Sequence, residues 1–546
     1  MTGGWTVHLM VVPILLPLLV GAVLLFVNER RRRLKAAFGA ASSVVLLLVA
    51  VALLRFADLP TEAGGVATGV YLLGNWPAPF GIVLVVDRLS ALMLLLAAIL
   101  ALPAQVFALG RWHRAAPHFH SLFQFLLMGV NGSFLTGDLF NLFVFFEVML
   151  AASYGLVLHG SGRRRVKAGM HYIVINLVAS FFFLVGVALI YGVTGTLNMA
   201  DLAVRIPAVA PEDRMLLEAG AAILGIAFLT KAGMWPLNFW LPTAYAAAAA
   251  PVAAMFAILT KVGVYILLRL SLLLFGEGAG TLAGFGTTWL TVGGMLTVLF
   301  GMIGMLAARS LGRLTGYCVL VSSGTVLAAI GLEDPRVAGG ALFYLVSSTL
   351  ALSALFLLVE LLERDLEQPE DEPDQVFADV EEDLEDEEDE VGVPVPATLA
   401  VLGLAFVGCT LLLAGLPPLS GFLAKFVMLS AALNPDGLGG GGQVSWQGWL
   451  LVPLLIVSGL VTLIAMMRAG IRRLWAPPEP IVPRVLIREA VPVAVLLGVG
   501  VVLTVLADPV MRYMTDAATA LHVPTSYVET VLGKERLPGP RSAPSP

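Results

Sequence analysis

Four ionisable residues stand deep inside apolar stretches, and their types suit proton transfer. Glu147 lies in Leu142-Phe-Val-Phe-Phe-Glu147-Val-Met-Leu150, flanked by apolar residues on both sides. Lys231 follows the apolar run 223–229, just before Pro236. Lys261 comes ten residues after Pro251, about 15 Å along a helix that rises about 1.5 Å per residue. Lys425 follows the break Gly415-Leu-Pro417-Pro418-Leu-Ser-Gly421. A charge at the centre of a bilayer costs about 2.5–3.5 kcal/mol on insertion scales, so four of them must pair or touch water. Structural ion pairs and snorkelling lysines could account for one or two. Four at mid-depth, two beside helix breaks, point to a relay. Burial disfavours a charged lysine and a nearby carboxylate favours it. A lysine balanced between these effects can gain and lose a proton as its neighbour's charge changes.

The elements that position them must be membrane helices. The chain has 546 residues, of which 58% are hydrophobic and 13% charged, with a mean hydropathy of +0.91. Soluble domains carry about 25% charged residues. Apolar runs separated by polar or Gly/Pro breaks give about 14 spans, each needing about 20 residues. The expected centres are residues 18, 46, 97, 127, 148, 180, 225, 262, 295, 322, 350, 405, 456 and 497. The fold class is therefore an all-α polytopic membrane protein. Prolines at 236 and 242 interrupt the seventh span, and prolines at 417 and 418 interrupt the twelfth. Such irregular backbone survives in a bilayer only where protein buries it or it lines a water-filled path. Two separated breaks are the pattern of inverted-repeat transporters.

Charge sets the orientation. Basic clusters fall at 29–35, 110–114, 162–167, 309–313 and 468–488, whereas the alternate loops near 57–80, 193–215, 276–285, 333–336 and 434–446 hold few bases. The positive-inside rule then places the basic loops in the cytoplasm and both termini on the outer face. The net charge of −6 is misleading, because 17 acids and one base lie between Glu363 and Glu390. Without that segment, 21 acids face 31 bases, a net charge of +10. So acidic a stretch cannot bury enough apolar surface to order itself, and a disordered cytoplasmic loop is expected. Residues 538–546 read as an unstructured tail.

The expected organisation is 1–80 for two spans and an outer loop, and 81–362 for the core with the first repeat and the start of the second. Then come 363–392 for the acidic loop, 393–470 for the rest of the second repeat, and 471–546 for the last span and tail. Asp138 lies nine residues before Glu147, on the opposite helix face at about 100° per residue, and reads as a helix-start residue with at most an auxiliary role. His113, His118, His120 and His159 sit near span ends and are expected to face solvent, while His171 could belong to an inner proton entrance. No HExxH, paired metal-ligand spacing, phosphate loop or nucleophile elbow occurs, and the glycine run 439–442 follows no strand. Cys318 and Cys409 lie in apolar stretches without CxxC spacing, which excludes a cysteine-ligated cluster. No cofactor, metal, nucleic acid or enzymatic chemistry is expected.

At these residues the sequence resembles the antiporter-like subunits shared by respiratory complex I and Mrp-type multisubunit cation/proton antiporters. The resemblance covers roughly residues 80–470 and rests on Val86-Asp-Arg-Leu-Ser-Ala-Leu-Met93, Gly137–Met149, Lys231–Pro242 and Gly415–Lys425. Tyr71–Ile82 and Ala341–Thr349 resemble the D-type subunit of the Mrp system. The resemblance implies 14 helices with two inverted five-helix repeats, spans 4–8 and 9–13. It implies Glu147 paired with Lys231, Lys261 as central relay and Lys425 at the end of a membrane-parallel axis. It also implies other membrane subunits as partners, including a larger paralogous A-type subunit, with H+ and Na+ or another monovalent cation as cargo, in a bacterial inner membrane. One departure stands out. Many relatives carry histidine in the eleventh span, where this chain has Ser347 and Ser348, so water on the serines would have to replace a histidine step. The alternative assembly is a proton-pumping redox complex of the complex I or membrane-bound hydrogenase type.

Overall fold

The computed structural model describes residues 7–60, 67–364, 396–437, 442–475 and 485–534. It is a helical bundle with one two-stranded ribbon among the described residues. The helices are α1 (Val12–Phe26), α2 (Arg32–Ala57), α3 (Arg88–Ala108), the short α4 (Trp112–Ala115), α5 (Phe119–Leu135), α6 (Leu139–Val157), α7 (Arg163–Thr194) and the short α8 (Met199–Arg205). The first broken span follows as α9 (Arg214–Ala232) and α10 (Leu241–Ala247), then α11 (Ala250–Phe275), α12 (Thr287–Ala307), α13 (Leu311–Ile330) and α14 (Pro335–Glu363). The second broken span is α15 (Pro396–Ala414) and α16 (Ser420–Leu433), followed by α17 (Trp446–Gly470), α18 (Ile487–Val505), α19 (Ala507–His522) and α20 (Thr525–Leu532). Strands β1 (Gly69–Leu72) and β2 (Val83–Val86) pair antiparallel, with Gly69 opposite Val86.

Each of the fourteen expected centres falls within a helix. Among the described residues, eleven helices have both the length and the apolar composition to cross a membrane, while Val12–Phe26, Thr398–Ala414 and Ser420–Leu433 are apolar but shorter. The acidic stretch expected to be disordered lies almost wholly outside the described residues, as do the C-terminal tail and most of the glycine run. Helices α11 and α14 are the centre of the bundle, since their most apolar windows are entirely buried. The peripheral helices α2, α7, α17 and α18 leave long apolar faces open, for example Leu177, Phe181 and Ile456. Apolar side chains facing outward are what a lipid solvent permits and water does not.

Both breaks are built the same way. Helix α9 ends on Gly233 and α15 on Gly415, each in the left-handed region with φ of 72° and 74°. Glycine adopts that conformation without a Cβ clash, and the prolines that follow cannot continue a helix. Two runs of helices, α5 to α11 and α12 to α17, pack in the same pairwise order: α5 on α6 and α7 on α9, then α12 on α13 and α14 on α16. In each run the broken span supplies the last of these four helices.

The basic loops meet at one end of the bundle. Glu363 there accepts from the Leu311 N–H at 3.1 Å, and Arg473 stands 3.8 Å from it. Arg364 bridges Glu360 and Glu489 at 3.2 and 2.7 Å. Arg165 donates to the Ala247 carbonyl at 2.9 Å, and His118 pairs with Glu29 at 3.1 Å. The described ends of the chain lie at the opposite face. His8 bonds Tyr71 there at 3.2 Å, and Tyr513 donates to the Arg88 carbonyl at 2.9 Å.

Candidate functional site

The four expected charges stand on four different helices, and their ligands come mainly from the helices beside them. Lys231, the penultimate residue of α9, is buried and donates to the side-chain oxygen of Asn176 on α7 at 3.1 Å and to its carbonyl at 3.3 Å. Asn176 is held in place because its own amide donates to the Tyr172 carbonyl one turn earlier. Tyr172 in turn bonds Ser153 of α6 at 2.7 Å. Glu147 is half-buried on α6, and no ion pair within 4.0 Å joins it to Lys231 among the described residues. Its Oε1 is buried without a hydrogen-bond partner there. The direct ligand of Lys231 is thus an amide on α7, and Glu147 stands beyond ion-pair distance of it. Asn176 gave no sequence signal beyond being a lone amide in an apolar helix.

Lys261 is fully buried at the middle of α11 and donates to two hydroxyls of α13, Ser322 at 2.7 Å and Ser323 at 3.1 Å. Ser322 is also bonded to Ser348 of α14 at 2.8 Å. The adjacent Ser347 is bonded to Ser420, the first residue of α16, at 2.7 Å. Lys425 sits one and a half turns further along α16 and donates to the Ala414 carbonyl at 3.0 Å. That carbonyl is freed by the break after α15, and an ammonium on a helix C-terminus also meets the negative end of its dipole. The ring of Tyr344 lies under the same ammonium, 5.8 Å away. Serine hydroxyls thus fill the space from Lys261 toward Lys425. The sequence singled out Ser347 and Ser348 but missed Ser322, Ser323 and Ser420.

The breaks serve these ligands. Pro236 lies in the gap between α9 and α10 and Pro242 in the first turn of α10, and the Trp235 N–H in that gap is satisfied by Thr297 of α12 at 2.8 Å. Pro417 and Pro418 fill the gap before α16, where Gly415 leaves room for the Lys425 stem: a Cβ there would come within 2.8 Å of its Cδ. Asp138 caps α6, accepting from the Asn141 N–H at 2.9 Å, as its position suggested. His171 is exposed on α7, next to the buried Tyr172.

Two histidines correct the expectation of solvent exposure. His118 is exposed, but His120 and His159 are 5% and 3% exposed. The reason is the short α4, which folds over them: His159 bonds the Trp112 carbonyl at 2.8 Å. Burial holds the His159 ring below its ordinary basicity, as does the cation Arg165. Burial does the same for His113.

The segment 136–438 matches the family described as NADH:quinone oxidoreductase/Mrp antiporter, TM. The chain belongs to this family. Along nearly its full length it is similar to other members. It is 58% identical to the D-type subunit of a probable K(+)/H(+) antiporter of Rhizobium meliloti, covering 97% of this chain and 99% of that one. It is 34% identical to the D-type subunit of the Na(+)/H(+) antiporter of Alkalihalophilus pseudofirmus, with 96% and 99% covered. Its fold matches a chain of the Mrp complex from Dietzia sp. with a TM-score of 0.82 and 27% identity, over 98% and 100% of the two chains. Within the family, the resemblance to D-type subunits read from the sequence motifs is thus met by named relatives.

Proposed function

We propose that this chain is the D-type membrane subunit of a multisubunit monovalent cation/proton antiporter, and that protons pass along Glu147, Lys231, Lys261 and Lys425. The observation that carries the reading is ligation of three buried ammonium groups by neutral oxygens of neighbouring helices. A change of charge at Glu147 alters the field on Lys231 and is passed along the row. Moving one charge through 100 mV is worth about 2.3 kcal/mol, the scale of about one or two hydrogen bonds to a charged group. Conduction along such a row is therefore energetically commensurate with a membrane potential. The chain works beside other membrane subunits, including a larger paralogue, in the bacterial inner membrane. Its arginine-rich face is cytoplasmic and both termini are outside.

Cation-induced collapse of ΔpH in everted vesicles tests this, with Na+ and K+ each supplied to the assembled complex. Glu147→Gln and Lys231→Ala are expected to assemble and to abolish the response. Full activity in either variant sinks the relay. Co-purification of flavin or iron–sulfur subunits would instead make the assembly a redox pump.

A further inference from the structure

We infer that the arginine-rich face opens into a buried, hydrated proton inlet between α2, α3 and α5, with His120 as its proton-accepting group. This inlet lies apart from the row of Glu147 and the lysines. Six buried polar atoms of α2, α3 and α5 lack a hydrogen-bond partner among the described residues: Ser43 Oγ, both ends of the Gln105 amide, both ring nitrogens of His120, and Ser121 Oγ. Folded chains rarely leave one such group unmet. Two of these side chains meet Gln124 at Gly39 of α2, whose carbonyl accepts from Gln124 Nε2 at 3.3 Å. A Cβ there would stand 3.5 Å from His120 Nδ1, 3.6 Å from Gln105 Oε1 and 3.8 Å from Gln124 Nε2. Water needs two to four polar partners and room, and this patch supplies the partners. The ligand proposed for these unmet atoms is water, with His120 accepting its excess proton.

The patch connects outward and inward. At the surface, Glu29 takes Lys35 at 2.5 Å and His118 at 3.1 Å. Lys35 is itself buried, so this triad closes the mouth rather than coating the surface. On the inward side, Ser42 donates to Gln124 Oε1 at 2.9 Å. Two turns further along α5, Asn131 donates to the Pro13 carbonyl at 2.9 Å and borders a cavity of about 10 Å³ beside Leu46, Ala98 and Leu127. That is about the room one water needs. The ionisable groups around His120 are Lys35 of α2, Glu29 before it and His113 of α4, and Arg32, Arg114 and Arg488 of α18 face His113 in turn. His118 precedes α5, and His159 stands beyond the Phe119 ring at the end of α6. Helix α1 contributes none, and α3 contributes only the neutral Gln105 to this patch. The His113 ring lies 6.1 Å from His120 between centroids, and the Phe119 ring lies closer at 5.5 Å.

The test is thiol labelling in the assembled complex. Gly39→Cys and, independently, Ser43→Cys are exposed to a membrane-impermeant, positively charged methanethiosulfonate in everted and in right-side-out vesicles. Ser161→Cys, in the exposed turn between α6 and α7, reports which face is which. The native Cys318 and Cys409 are both buried and give a low background. Labelling of either pocket cysteine from the same side as Ser161→Cys is expected. No labelling of either in assembled complex means the pocket is dry and overturns the inlet. If all three react from the cell exterior, the inlet stands and the proposed orientation falls. A second arm rests on the antiporter reading: His120→Gln, assembled to wild-type level, is expected to slow cation-induced ΔpH collapse at least fivefold. A wild-type rate in His120→Gln removes the histidine's role, whatever the fate of Glu147→Gln.

Discussion

Removing the Ser322 hydroxyl isolates the ligation of Lys261 from everything else in the row. In Ser322→Ala, the ammonium loses its 2.7 Å acceptor and keeps only Ser323 at 3.1 Å. Ser348 is not orphaned by the change, because its hydroxyl also reaches the Leu345 carbonyl at 3.3 Å. The loss therefore falls on the lysine. A hydrogen bond to a charged group is worth about 1.5–3 kcal/mol, and about 1.36 kcal/mol is tenfold in rate. Transport through a step that needs Lys261 charged at this place should fall about ten- to hundredfold. Ser322→Thr keeps the hydroxyl and should recover most of the rate, which separates ligation from packing. The assay is the initial rate of ΔpH collapse in everted vesicles, normalised to assembled complex. Wild-type rates in assembled Ser322→Ala would refute the role given to this hydroxyl. So would a Thr variant as slow as the Ala variant.

Four further outcomes are expected. Asn176→Leu removes the side-chain acceptor of Lys231 and should cut transport by at least about tenfold on the same scale, read in the same vesicles. Gly415→Ala puts a Cβ at φ 74° and 2.8 Å from the Lys425 stem. It should destabilise the protein by about 1–2 kcal/mol or more from the left-handed backbone alone, seen as a lower melting temperature in detergent. Glu360→Ala strips the acceptor shared by Trp112 Nε1 at 2.6 Å and the Ala250 N–H at 3.3 Å, and one carboxylate of Arg364. Its destabilisation should lie near the lower end of about 3–5 kcal/mol, because Glu489 still holds Arg364; thermal unfolding measures it. His113 and His159 are held below the ordinary histidine value of 6.5 by burial. The unfolded chain therefore takes up protons first as pH falls past 6.5, and the stability present above that pH is lost toward each folded value. The acid-side drop in melting temperature should shrink in His113→Gln/His159→Gln.

Periodicity and hydropathy were enough to place the helices, because a bilayer requires about 20 apolar residues per span and every such run is visible in one dimension. Glu147, Lys231, Lys261 and Lys425 were legible for the same reason: a charge in an apolar run stands out. Their ligands were not. Serine and asparagine are common inside helices, and only the packing of α13 on α14 and of α14 on α16 tells Ser322 and Ser420 from a hydroxyl such as Thr315, which bonds its own helix at Leu311. The histidines failed differently. Distance from a span end predicted exposure for His120 and His159, but the four-residue α4 has too little periodicity to announce that it covers them.

In the proposed relay, the chemistry of the ligands separates fixed charges from movable ones. The buried guanidinium of Arg269 faces Asp87 at 2.8 Å, and Arg364 lies between two carboxylates. Each is an ion pair that a lost proton would leave with an uncompensated buried charge, so each is static. Lys231, Lys261 and Lys425 meet only an amide oxygen, hydroxyls and carbonyls. A hydroxyl accepts from an ammonium and can rotate to donate to an amine, so Ser322 serves Lys261 in either protonation state. Aspartate at position 322 would hold the proton on the lysine and stop the row. Serines are also what the eleventh span offers at 347 and 348, bonded to Ser420 and Ser322. In the proposed relay they take the place of a titratable ring by reorienting hydrogen bonds instead of holding a proton. Ser348→His would then add a competing proton site beside Lys261. It should slow transport, and a faster rate in that variant would contradict the scheme.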